Sequence, residues 1–124
     1  MSRRRLEILQ WTGLLAGGLV WAAQHVVGYG ITEAACGAGS PQFGISNDVW
    51  QASLMAAAAV VILAAQAAAV TVLLATRSSS YETEPPPGRI RFFAIAAIVA
   101  NTIFLMIVLL DGFASIFNVE CRQS

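Results

Sequence analysis

Three apolar stretches, each long enough to cross a bilayer, dominate the chain and decide what it can fold into. They run from about Leu6 to Val27, from about Val49 to Ala75 and from about Ile90 to Leu110. Crossing the hydrocarbon core as a helix takes about 20 such residues, and in lipid only helices and closed barrels satisfy every backbone polar group. Three spans with their connections use the 124 residues, so an all-α, three-helix transmembrane bundle is expected, with no room for a second domain. Composition agrees: 57% of residues are hydrophobic, 11% are charged, and the mean hydropathy is +0.69. A soluble domain carries about 25% charged residues. The polar surface is too small to face water, and the expected partner is the lipid bilayer.

Orientation follows from arginine, the sole basic residue type besides His25. Arg3, Arg4 and Arg5 precede the first span, and Arg77, Arg89 and Arg91 flank the connection between the second and third. By parity those segments share one side, and together they hold six of the seven arginines. The positive-inside rule puts that side in the cytoplasm. The N-terminus and the connection 76–89 are therefore expected inside, and the connection 28–48 and the tail 111–124 outside. Pro85-Pro86-Pro87 breaks the inner connection sharply, and Asn47 or Asp48 is a candidate N-cap for the second span. Arg3-Arg4-Arg5 before an apolar run also fits a cleaved signal peptide. The run exceeds a signal core, however, and Trp21 and His25 stand where small residues should precede cleavage. Glu33-Ala-Ala-Cys36 lies too far beyond the run to act as a lipoprotein signal.

Both cysteines, Cys36 and Cys121, fall on the outer side by parity. In an oxidising compartment they are expected to form a disulfide tying the first connection to the tail. Unpaired thiols, or a copper site, are the alternatives, and two Cys with no neighbouring His or Met make a poor copper site. Within the spans, polar residues are costly and informative. Gln66 and Asn101 each lie about ten residues, roughly 15 Å, from the cytoplasmic ends of their spans, near the glycines Gly13, Gly17 and Gly18. The expected role of Gln66 and Asn101 is interhelical hydrogen bonding that sets register; the sharper alternative is contact with a cofactor or neighbouring subunit. At the outer level, His25 and Asp111 form a polar pair near Gln24, Gln51 and Ser53. They are read first as interfacial groups, with a proton relay or an oriented haem ligand as alternatives. One His cannot supply two axial ligands. Span two is Ala-rich on several faces, and Gly13-x-x-x-Gly17 has the spacing of close helix approach. The apolar run Phe113 to Val119 is expected to lie along the outer membrane surface.

No nucleophile–base arrangement, phosphate loop or metal-spaced cluster is present, so neither enzyme activity nor a cofactor is expected. There is no basic patch with interleaved aromatics to bind nucleic acid. Trp21-x-x-x-His25 at the outer end of span one, Cys36 soon after, and a tail containing Cys121-Arg-Gln resemble small multi-pass proteins found with bacterial haem-copper (cytochrome c) oxidase genes. The resemblance implies a non-catalytic accessory or assembly subunit of a respiratory complex in the bacterial inner membrane, packed against larger subunits. It transfers no catalytic residues. A small homo-oligomeric channel or transporter, with Gln66, Asn101 or Asp111 facing a shared pore, is the competing class. A membrane redox or haem protein is the third.

Overall fold

In a computed structural model of the chain, residues 1–36, 47–78 and 84–117 are described. They form three α-helices: α1 (Arg3–Cys36), α2 (Asn47–Ala75) and α3 (Pro87–Phe117). All three are long and apolar enough to span a membrane. Each packs against both others, with α1 and α3 running one way and α2 the other. The start of α1, the end of α2 and the start of α3 share one end of the bundle, which carries the arginines. His25, Asp111 and Gln51 lie toward the opposite end.

The buried residues follow one rule along every helix. On α2 they are Gln51, Ala58, Ile62, Ala65, Ala69 and Val72, with Thr76 just past its end and partly buried Met55 filling the first gap. On α3 they are Ile90, Ala94, Ala97, Asn101, Val108 and Gly112, with Phe104 in the gap and Gly88 buried off the repeat in the first turn. On α1 they are Gln10, Gly13, Gly17, Gln24 and Gly28, with Val20 in the gap. Steps of three and four alternate along most of each helix, the 3.5-residue repeat that keeps one seam inward; only the last steps, Gln24 to Gly28 and Val108 to Gly112, are four residues where three would follow. The seam is narrow and built from small residues, as expected where dispersion and close approach replace the hydrophobic effect. Gly13 shows the closeness: a Cβ there would sit 3.1 Å from the Ala69 nitrogen and 3.3 Å from the Ala65 oxygen.

Two apolar layers fill the seam. Ala58, Ile62 and Val108 gather Val20, Trp21, Met55, Phe104 and Leu105 toward the His25 end. Val72, Ile90 and Ala94 gather Leu6, Leu9 and Leu73 toward the arginine end. The remaining apolar side chains face outward, and at most 28% of any span's most apolar stretch is buried in the bundle. That outward surface is what lipid or a neighbouring protein must cover.

The helix ends differ from the expected spans. α1 does not stop at Val27 but continues to Cys36, through Gly28 and Gly30, and α3 continues past Leu110 and Asp111 to Phe117. Gly28 is not a turn glycine. It is a point of contact: the buried Gln51 side chain donates from Nε2 to the Gly28 oxygen (3.0 Å) and to Thr32 Oγ1 (3.0 Å), holding the extension of α1 against α2. Phe113 to Phe117 continue α3, with the two rings 6.3 Å apart, in place of a separate surface segment; Val119 lies outside the described residues. At the other end α3 opens on Pro87, whose missing N–H costs nothing at a first helical position, and the Ile90 N–H donates to the Pro86 oxygen at 3.0 Å.

The end of α2 is closed by another helix. Arg91 on α3 donates from Nη1 to the Thr76 oxygen (3.0 Å) and the Leu73 oxygen (3.3 Å). A guanidinium there satisfies carbonyls that have no intrahelical partner and meets the negative pole of the α2 dipole.

Candidate functional site

Two polar places stand out in a bundle otherwise made of apolar side chains. The first is at mid-height. Asn101 is 1% exposed, and its Nδ2 donates to the Gly13 oxygen at 2.8 Å. Its Oδ1 lies against the Cα of Gly17, so close that a Cβ at Gly17 would overlap it. The Gly13-x-x-x-Gly17 pair thus receives an asparagine from α3. One glycine supplies the acceptor and the other supplies the space, where a weak Cα–H···O contact is the available partner. Gln66, at the neighbouring level of α2, takes a different route: its Nε2 reaches Thr102 Oγ1 at 3.4 Å on the outward side of α2 and α3. Gln66 and Asn101 each bridge helices, but to separate partners. Gln10, 2% exposed, and Gln24, 4% exposed, are further seam amides. Both polar atoms of Gln10 and the Oε1 of Gln24 are buried with no hydrogen-bond partner.

The second place is a cleft of about 160 Å³ near the far end, lined by His25, Gly28, Tyr29 and Thr32 of α1 and by Asp111 and Ser115 of α3. His25, Tyr29 and Thr32 share a face because they are four, then three, residues apart; Asp111 and Ser115 are likewise one turn apart. His25 Nδ1 stands 3.6 Å from Asp111 Oδ2, with both side chains partly exposed. The imidazole is held from below by Trp21, one turn earlier, with ring centroids 6.4 Å apart; Trp21 in turn stacks on Phe104 at 5.5 Å. With Nδ1 turned to the carboxylate, Nε2 is the nitrogen left for an incoming group. Gln51 braces the cleft from behind through Gly28 and Thr32. A Cβ at Gly28 would stand 2.9 Å from Gln51 Oε1, so a larger residue there would make the carboxamide shift.

The sequence pointed to His25 with Asp111, and the structure brings them together; Tyr29, Thr32 and Ser115 were not singled out. Their signal was present in the spacing, but it is visible only once α1 is known to continue past Gly28. Cys36 ends α1, while its side chain and all of Cys121 lie outside the described residues. Among the described residues no three His, Cys, Asp or Glu side chains gather as a metal-holding group. No protein family, curated protein or solved structure matches the chain.

Proposed function

We propose that the chain is a non-catalytic accessory or assembly subunit of a respiratory membrane complex, docking against larger, oxidase-type subunits through α2. The observation that carries the reading is a second face on that helix. Opposite the buried seam, Ser53, Ala57, Val60, Ala64, Ala67 and Thr71 are exposed and repeat at the same alternating four and three. The hydroxyls of Ser53 and Thr71 donate back to the Val49 and Ala67 oxygens, each at 2.8 Å, leaving the face smooth. Small side chains gain little against lipid tails but allow a partner helix to approach closely. The link to an oxidase rests on the likeness carried by Trp21, His25, Cys36 and Cys121-Arg-Gln. In this reading the arginine end faces the cytoplasm of a bacterial inner membrane, and no cofactor is carried.

A Cys36–Cys121 disulfide belongs to the same proposal. Cys36 lies about 16 Å along α1 beyond His25, and Phe117 about 9 Å along α3 beyond Asp111. The four residues from Phe117 to Cys121 reach at most about 14 Å, enough to close the gap. Thiol labelling of intact membranes is expected to modify neither cysteine before reduction and both after it; labelling of either without reductant contradicts the bridge.

Purification in mild detergent from native membranes tests the main reading. Larger subunits with a haem absorption spectrum should accompany the chain, and Ala64→Leu should lower their recovery about tenfold, the equivalent of 1.4 kcal/mol. A chain that migrates alone refutes the proposal. A small homo-oligomeric channel or transporter is the second reading, favoured by the Gln66–Thr102 contact on the outward side of the bundle. Solute or ion flux in liposomes that Gln66→Leu abolishes would select it.

A further inference from the structure

The cleft between α1 and α3 is lined by a carboxylate, an imidazole and three hydroxyls, with no Arg or Lys among them. That set suits a small cation with several N–H donors. An anion there would face Asp111 uncompensated, and a transition metal would find at most two good ligands where three or four are usual. A primary ammonium has three donors to place. Asp111, Ser115, Thr32 and Tyr29 supply the oxygens, and Asp111 supplies the opposite charge.

The position of the cleft says where such a group comes from. His25 is twenty residues from Arg5, and Asp111 twenty from Arg91, about 30 Å along each helix. That is the thickness of a bilayer's hydrocarbon core, which puts the cleft at the headgroup level of the leaflet opposite the arginine end. Directly beneath it, on the same faces of the two helices, the surface turns apolar and aromatic. Trp21 and Gly18 lie one and two turns below His25, and Ile107 and Phe104 lie one and two turns below Asp111. The Phe104 ring lies over Gly18, where a Cβ would come within 3.3 Å of it, and stacks on Trp21, so the two helices present a closed aromatic surface there. A polar cleft at headgroup depth, above an aromatic surface toward the membrane middle, matches the polar head and apolar tail of one phospholipid.

We propose that the His25–Asp111 cleft binds the headgroup of one aminophospholipid, with its primary ammonium against Asp111 and one acyl chain lying over the Trp21–Phe104 surface. The Tyr29 hydroxyl and His25 Nε2 border the position of the adjoining phosphate. Gln51, 2% exposed, is a positioning residue for this site: it touches no lipid but fixes Gly28 and Thr32. The site prefers ethanolamine to choline, whose quaternary nitrogen has no N–H to donate, and to glycerol headgroups, which leave the phosphate charge beside Asp111 unbalanced. This assignment stands apart from docking through α2, because it uses the α1–α3 face.

The test uses the full chain in detergent, equilibrated with equal amounts of dioleoyl phosphatidylethanolamine, phosphatidylcholine and phosphatidylglycerol, and reads retained lipid by native mass spectrometry. One ethanolamine lipid is expected per chain, retained about tenfold over either competitor, the scale of a charge-assisted hydrogen bond. Asp111→Asn should erase that preference and bring retention of the ethanolamine lipid down to that of the other two. Equal retention of the three lipids by the unaltered protein overturns the proposal without reference to any variant. Displacement by soluble phosphoethanolamine at the concentration of the lipid would also overturn it, because the site would then be one for a free amine.

Discussion

At the scale of single residues, the most constrained position is Gly17. Its hydrogen faces the Asn101 carboxamide, and an added methyl group would overlap Oδ1. Gly17→Ala is expected to destabilise the bundle by about 1–3 kcal/mol, the usual range for overpacking. Asn101→Ala alone should cost about 1 kcal/mol through the lost bond to the Gly13 oxygen. The two should not add: in the double variant the methyl introduced by Gly17→Ala enters the space left by the carboxamide, so most of that substitution's penalty should vanish. Reversible unfolding in mixed micelles across the four-protein cycle measures this coupling, and strict additivity would mean that the two side chains do not meet. Gly112 offers a parallel case, since a Cβ there would overlap Met55. Gly112→Ala should therefore be tolerated better beside Met55→Ala than beside Met55.

At the scale of elements, what holds each helix is a contact made by another. The last turn of α2 depends on Arg91 of α3. Arg91→Met keeps the aliphatic stem and removes the donors, and should weaken that turn by about 0.3–1 kcal/mol. Hydrogen exchange at the amides of Thr76 and Arg77 should quicken, with the middle of α2 unchanged; uniform acceleration would point to a global effect instead. The number and type of the helices were legible in the sequence because each apolar run far exceeds any core helix of a soluble domain. Their ends were not. Gly28 and Gly30 fell within the expected outer connection, a stretch rich in Gly, Ser and Pro, but within a membrane bundle glycine allows close approach of backbones. What decides the matter at Gly28 is Gln51, which lies in another helix and leaves no local trace. Likewise Asp111 read as the edge of a span, although it sits inside α3 with more than a turn of helix beyond it. His25 and Asp111 could be matched by counting from the arginines, since both helices rise equally per residue. Tyr29, Thr32 and Ser115 could not, because they stand on the helix extensions.

At the scale of the whole molecule, α2 carries two faces with the same three-and-four spacing, one turned to its own bundle and one exposed. Leucine at Ala57 or Ala64 should leave unfolding of the isolated chain nearly unchanged, within about 0.5 kcal/mol as for surface sites, while reducing recovery with a partner. A large loss of stability in the isolated chain would show that this face is already used within the bundle. The three helices also differ in what they ask of the membrane. The mean hydropathy of the best stretch is 2.4 in α2 and 2.7 in α3 but 1.3 in α1, and the seam amides Gln10 and Gln24 belong to α1. Those carboxamides are shielded only by the two helices that follow in the chain. Among the three helices the order of synthesis is thus the reverse of the order of self-sufficiency: the earliest made is the least able to stay in lipid unaided. It is expected to commit to the bilayer late, when α2 and α3 arrive to cover its polar seam. A chain stopped after Cys36 and scored for membrane integration should be retained poorly, and the same helix should be retained well when the rest of the chain is released behind it.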